Sequence, residues 1–118
     1  MTEEPLHIRL LNLMSAIRAM SPFGALTADE EQLLRSLLVR WHEPRDLSVG
    51  EVMRDMTEVS EATAYRRIMS LRDKGLITLR AHQSDKRVKL IDPAPLALEY
   101  SEHVGAALEE LMEQRPNR

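Results

Sequence analysis

The chain has 118 residues, of which 43% are hydrophobic and 30% are charged, and these values predict one modest globular domain rather than two. No apolar run is long enough to cross a membrane, and Met1 to Arg9 lack the apolar block of a signal peptide. The absence of cysteine excludes disulfides, thiolate metal sites and a cysteine nucleophile. We therefore predict a soluble, cytoplasmic protein.

The net charge of −3 hides a strong asymmetry along the chain. Residues Thr63 to Lys89 include eight basic and two acidic side chains, a local balance of +6, so the other 91 residues carry −9. Such asymmetry lets one face approach a polyanion while the remaining surface avoids indiscriminate binding. A merely solvated charged face explains the charge pattern equally well.

The first half of the chain has the spacing of amphipathic helices. Apolar residues recur every three or four positions from Pro5 to Met20, which predicts a helix that the Ser-Pro-Phe-Gly segment 21–24 ends. Thr27 and Glu30 have the spacing of a capping box, and the second helix that they open ends before Pro44.

A pair of short helices is predicted next. Ser48 and Glu51 repeat the capping-box spacing and open a helix of about two turns. After a tight turn, Ser60 is a good N-cap for a helix that ends at Gly75, where glycine tolerates a left-handed conformation. The two helices form a helix-turn-helix.

Two β-prone runs, 76–79 and 87–91, then flank the polar segment 82–86 and predict a hairpin with an exposed tip. Asp92-Pro93 is interpreted as the N-cap and first residue of a last helix with one apolar stripe. The predicted fold class is mainly α with a small β-hairpin.

The helix from Ser60 to Gly75 has two contrasting faces. Ala64, Ile68 and Leu71 form its inner face, whereas Arg66 lies in an outer face that is largely polar and basic. The arginines of this outer face lie where the second helix of a helix-turn-helix enters a major groove. The N-terminal turns of that helix would reach base edges.

Residues 59–77, VSEATAYRRIMSLRDKGLI, resemble the recognition helix and first wing strand of winged-helix bacterial regulators of the MarR family. The shared pattern is a serine, polar positions that include a threonine, an arginine, an apolar pair, a leucine, a basic residue and Gly-Leu-Ile. Asp85-Lys86-Arg87 resembles the Asp-x-Arg of the family's wing tip. Glu61 and Ala62 depart from the pattern, because the family often has basic or hydroxyl side chains there.

The resemblance implies a winged helix-turn-helix core over 26–91 within a single domain of 1–118. It also implies dimerisation helices over 5–20 and 93–114. The Ser-x-x-Thr-x-Tyr-Arg portion is similar to regulators of the ferric-uptake type as well, but those need dense metal ligands, and the four histidines here are scattered. We expect no metal site and no cofactor.

The resemblance also implies DNA-binding roles for eight residues. Those expected to face base edges or the adjacent sugar and phosphate are Thr63, Tyr65 and Arg66. Those expected at the DNA backbone are Arg67, Ser70 and Arg72, and those expected in or beside a minor groove are Lys86 and Arg87. The alternatives are partial burial of Tyr65 against the hairpin and ordinary solvation of Arg67 and Arg72.

Both terminal helices have apolar stripes that a core of this size covers only in part, and an uncovered stripe is a partner site. In MarR-like regulators these helices interlock across a two-fold axis, so the resemblance implies a homodimer reading an inverted repeat, with recognition helices about 34 Å apart. The candidate interface residues are Leu6, Leu10, Leu13, Ile17, Val104, Leu108 and Leu111. Packing of these residues within one chain is the alternative.

The leading interpretation is a regulator of transcription that binds double-stranded DNA, most simply a repressor. The resemblance implies a small-molecule effector, which the sequence does not identify. The alternative is a winged-helix module that binds another protein and not DNA. We predict that the chain is not an enzyme, because it has no glycine-rich phosphate loop, no metal-ligand cluster and no nucleophile with a base nearby.

Overall fold

The computed structural model describes residues 4–113 and consists, over that range, of helices and one β-hairpin. In chain order the elements are α1 (Leu6–Ala19), a 3-10 turn (Phe23–Ala25), α2 (Ala28–Trp41), α3 (Val49–Asp55), α4 (Glu61–Asp73), β1 (Ile77–Ala81), β2 (Lys89–Pro93) and α5 (Pro95–Glu113). The order confirms the predicted class, mainly α with a small β-hairpin.

The chain divides into two compact units. Thr27–Leu98 forms the core unit, and the described parts of Met1–Leu26 and Glu99–Arg118 form the terminal unit. The single domain expected over 1–118 stays a prediction. Position 114, the end of the expected last helix, lies outside the described residues.

Side-chain caps open the three helices of the helix-turn-helix region. Thr27 and Glu30 form a reciprocal capping box at α2, with N–O distances of 2.8 and 3.1 Å. Ser48 and Glu51 form a second box at α3, and the Ser60 hydroxyl accepts a bond from the first turn of α4. Because each cap satisfies backbone N–H groups that lack a helical partner, the predicted helix starts are confirmed.

Burial of one face of α4 fixes the rotation of that helix. Ala64, Ile68 and Leu71 are fully buried, as the spacing predicts, and α4 packs against α2 and α3. Leu34 and Leu37 of α2 are fully buried as well. Burying a large apolar side chain contributes about 1.5–3 kcal/mol, so this face stays inward and the opposite face of α4 is available to solvent.

The hairpin is shifted along the chain relative to the prediction. β1 and β2 pair antiparallel with Leu79 opposite Ile91, and each strand runs two residues beyond the apolar run that predicted it. Gly75 precedes β1 with a φ of 83°, which confirms the left-handed helix end.

The prediction that Asp92-Pro93 caps the last helix is wrong. Both residues belong to β2, and α5 begins at Pro95. The Asp92 carboxylate accepts a 2.7 Å hydrogen bond from Arg80 Nε across the hairpin, and Pro93 lies at the end of its strand, a position that proline tolerates. The proline at the first helical position is therefore Pro95.

The loop between α2 and α3 attaches the hairpin to the helices of the core unit. Ile91 N donates to Leu47 O at 2.8 Å, Ser48 forms an isolated bridge with Leu90, and the Trp41 indole donates to Ile91 O at 3.0 Å. The Trp41 indole thus bonds within the core unit.

The terminal unit has its own small aromatic cluster. Phe23 and Tyr100 are almost fully buried and meet edge to face with ring centroids 5.4 Å apart, and the His103 ring lies 6.0 Å from Phe23. Within residues 4–113, no helix combines the length and the apolar character that a membrane span requires.

Candidate nucleic-acid interface

Arg66 projects from the exposed face of α4 and is held by a short chain of hydrogen bonds. The Ser60 hydroxyl donates to Thr63 Oγ1 at 3.1 Å, and Arg66 Nη2 donates to the same oxygen at 3.3 Å. Within the described part of the chain, its guanidinium takes part in no ion pair. Arg66 is exposed and Tyr65, beside it, is 50% exposed, so neither residue is occluded. The first two turns of α4 therefore present an ordered cation that is free to bind a partner.

Three other arginines of the predicted interface are each paired with a carboxylate of the chain itself. The pairs are Arg67 with Asp29 at 3.1 Å, Arg72 with Asp73 at 3.2 Å and Arg87 with Asp85 at 3.1 Å. The exposed fraction of the arginine side chain rises in that order, from 27% through 48% to 92%. Exposed ion pairs contribute about 0–1 kcal/mol, so a phosphate can displace these carboxylates.

Ser70 faces α2 and not the exposed side of α4. Its hydroxyl donates to Glu30 Oε2 in a short hydrogen bond, and Lys74 Nζ lies 2.5 Å from Glu30 Oε1. A serine hydroxyl has a single proton to donate and phosphate oxygens only accept, so the bond to Glu30 uses the donor that a DNA backbone contact requires. We therefore assign Ser70 to holding α4 in place rather than to the DNA backbone.

Glu30 is a buried carboxylate at the junction of α2 and α4. Burial raises its pKa, but hydrogen bonds from Lys74, Ser70 and the Thr27 backbone outweigh burial and lower the pKa to about 2. The sequence identified Glu30 as half of a capping box and missed its bonds to α4. The one sequence signal for these bonds is the position of Glu30, an acidic residue on the inner side of an amphipathic helix.

The wing tip is ordered by side chains that bind its own backbone. Asp85 Oδ1 accepts from both Arg87 N and Arg87 Nε at 3.1 Å, and these bonds lower the pKa of the Asp85 carboxyl. His82 Nδ1 accepts from Ser84 N at 3.0 Å. Arg87 is thus oriented by Asp85, while Lys86 lies exposed beside it.

Arg80 belongs to the basic segment but is used within the fold. It bonds Asp92 at 2.7 Å and Asp46 at 2.8 Å, and both contacts raise its pKa. Since Arg80 and Lys74 are engaged in this way, the +6 balance overstates the charge that a partner meets. Among the described cations of that segment, those in no ion pair are Arg66, Lys86 and Lys89.

No protein-family model matches the chain, and no curated protein matches its sequence. Solved structures do match. The transcriptional regulator Tm0710 from Thermotoga maritima aligns with a TM-score of 0.64 at 16% identity, over 92% of this chain and 73% of that one. MepR of S. aureus, solved as a DNA complex, aligns with a TM-score of 0.63 at 17% identity, over 92% and 79%. A MarR-like protein from Bacillus cereus aligns with a TM-score of 0.57 at 15% identity, over 92% of this chain and 71% of that one. The chain has a MarR-like winged-helix fold.

In this winged helix, α3 and α4 are the helix-turn-helix and the β1–β2 hairpin is the wing. Of these structural neighbours, Tm0710 is a transcriptional regulator and MepR was solved in complex with DNA. At identities below 20% the likeness establishes the fold, so the roles of individual residues are argued below from their own geometry.

The apolar residues expected at a dimer contact of the winged helix fall into two groups. Exposed by about 40–55% are Leu6, Leu10, Val104 and Leu108, and Leu13 is half-buried. Ile17 and Leu111 are only 8% exposed within the terminal unit. These two side chains pack within their own chain, which is the alternative to a dimer contact. A side chain that its own chain covers has little surface left to bury against a partner.

An open groove of about 450 Å³ lies between α1 and α5 of the terminal unit. Apolar side chains such as Leu13, Ile17 and Met20 line it together with His103 and Glu110. Within residues 4–113, no three histidine, aspartate or glutamate side chains gather into a metal site.

Proposed function

We propose that the chain is a sequence-specific regulator of transcription that binds double-stranded DNA as a homodimer, most simply as a repressor at an inverted repeat. The observation that carries this proposal is Arg66, an ordered cation that pairs with no carboxylate of residues 4–113 and lies on the exposed side of the second helix of a helix-turn-helix. A guanidinium in that place matches the O6 and N7 acceptors of guanine in a major groove.

The proposed contacts follow from how each side chain is held. Thr63, Tyr65 and Arg66 face base edges, Arg67 and Arg72 bind phosphates after exchanging their carboxylate partners, and Lys86 and Arg87 reach a minor groove. Glu61, exposed at the first turn of α4, accepts from a cytosine amino group in this arrangement. Such a regulator acts on the chromosome, which fits the predicted cytoplasmic location. The location and a small-molecule effector both stay predictions.

Selection of bound duplexes from a random pool by the purified protein tests the proposal. We expect enrichment of one inverted repeat, with half-sites about one helical turn apart. No enrichment together with no measurable affinity for any duplex would contradict it and would favour the protein-binding module.

Replacing Arg87 with alanine is expected to lower affinity for every duplex to a similar degree. Arg87 is exposed at the wing tip and contributes charge rather than base recognition, so the loss of affinity is expected to be independent of base sequence. Titration of matched and mismatched duplexes measures this effect. Arg45→Ala is the matched control, since Arg45 is exposed and paired with Glu51 but lies outside the proposed interface. Unchanged affinity in Arg87→Ala would remove the wing from the interface.

Replacing Leu108 with glutamate is expected to separate the proposed dimer. Leu108 is 55% exposed on α5, and a charge placed there opposes burial against a second copy. Light scattering should give twice the chain mass for the wild type and the chain mass for the variant, which also loses affinity for the inverted repeat. Val39→Glu, at a 74% exposed position of α2, controls for a new surface charge. A wild type that is monomeric when bound to DNA would contradict the dimer.

A further inference from the structure

The first turn of α2 runs along one stripe of α4. Glu30 bonds Ser70 and Lys74, and Asp29, one residue earlier, bonds Arg67 at 3.1 Å. Residues 67, 70 and 74 are three and four positions apart, so they line the same side of the helix. One side of the proposed recognition helix therefore meets carboxylates of its own chain.

Asp29 reaches Arg67 from a fixed position. The capping box of Thr27 and Glu30 closes the turn on which Asp29 lies, and Glu30 is itself anchored to α4. The Asp29 side chain is 59% exposed and that of Arg67 is 27% exposed, so the pair lies at the edge of the face that meets solvent. A phosphate approaching α4 meets a guanidinium that already has an anionic partner.

We propose that Asp29 limits the sequence-independent share of DNA affinity by competing with a phosphate for Arg67. This inference rests on the proposed function. Carboxylate and phosphate oxygens bind a guanidinium in the same forked geometry, so one replaces the other. The displaced Asp29 then lies unpaired beside a polyanion and takes up a cation from solution. That uptake offsets the counterion that the phosphate releases, so the contact yields little affinity and little salt dependence.

The fold does not depend on the Asp29–Arg67 pair. Glu30 and the buried apolar residues of α2 and α4 hold the two helices together, and exposed ion pairs contribute little to stability. Neutralising Asp29 is therefore expected to leave the position of α4 unchanged and to alter only the anion that Arg67 binds.

Binding of Asp29→Asn to a random-sequence duplex tests this inference, with Asp55→Asn as the matched control. Asp55 also pairs with an arginine, Arg40 at 2.7 Å, and its replacement changes the net charge equally, but it lies outside the proposed interface. We expect about tenfold tighter binding for an Asp29→Asn dimer and a slope of log affinity against log salt steeper by about 0.9 per subunit. The control should stay within about twofold of the wild type, and the penalty for a mismatched operator should be unchanged in both variants.

The Arg67→Ala background separates local competition from general charge repulsion. If Asp29 acts through Arg67, the gain from Asp29→Asn disappears when Arg67 is alanine. Equal gains in Asp29→Asn and Asp55→Asn, no gain in either, or a gain that persists without Arg67 would each overturn the inference. A wild type that binds duplex DNA while Asp29→Asn shows no gain refutes this inference alone, whereas a wild type without duplex affinity refutes the proposed function.

Discussion

Replacing Arg66 with alanine is expected to weaken binding to the selected inverted repeat by about 1–3 kcal/mol per subunit and to relax the preference at one base pair of each half-site. Arg66 is the cation of α4 that Thr63 orders and that no described carboxylate neutralises. Its guanidinium is therefore free to make the paired bonds that distinguish guanine from the other bases. Affinities for a matched operator and for operators changed at single positions measure the effect.

Arg66→Lys is the matched control for charge. Lysine keeps the positive charge but lacks the planar fork, so we expect it to retain affinity for random duplexes and to lose much of the base preference. An equal loss on every sequence in Arg66→Ala, with full rescue by lysine, would make Arg66 a phosphate contact and would contradict its role in base recognition.

Replacing Glu30 with glutamine is expected to lower the free energy of unfolding by about 2–3 kcal/mol at pH 7. In the folded chain its pKa is about 2, against an ordinary value of 4.5, so the charged carboxylate stabilises the fold above about pH 4.5. That contribution declines as the pH falls from about 4.5 toward 2, where the proton returns. The stability curves of wild type and variant are therefore expected to converge in acid.

Urea unfolding at pH 7, 4.5 and 3 measures this convergence. Glu51→Gln is the matched control, because Glu51 has the same capping-box role at α3 but bonds the exposed Arg45 instead of a buried network, and its loss is expected to cost less. A constant difference between Glu30→Gln and the wild type at all three pH values would contradict the assignment of the charge.

The starts of α2, α3 and α4 could be predicted from the sequence because each depends on residues three positions apart. The capping boxes of Thr27 with Glu30 and Ser48 with Glu51 are local, and so is the inward face of α4. The strand ends were missed because the Arg80–Asp92 bond and the pairing of β1 with β2 extend the ladder past the apolar runs.

The tertiary contacts of the candidate site could not be predicted. Glu30 lies 40 residues from Ser70 and 44 from Lys74, and Arg80 lies 34 residues from Asp46. No local spacing in the sequence predicts such long-range pairs. A count of charges along the chain therefore does not distinguish cations in ion pairs from free cations. The structure separates them, and only then does Arg66 differ from the arginines around it.

The salt dependence of wild-type binding to its selected duplex tests most directly whether α4 and the wing present free cations to DNA. Contacts with about 6 phosphates per dimer predict that log affinity falls with log salt at a slope of about −5 between about 50 and 200 mM. A protein that binds no duplex, or binds one with an affinity that salt leaves unchanged, would contradict this account of the winged helix.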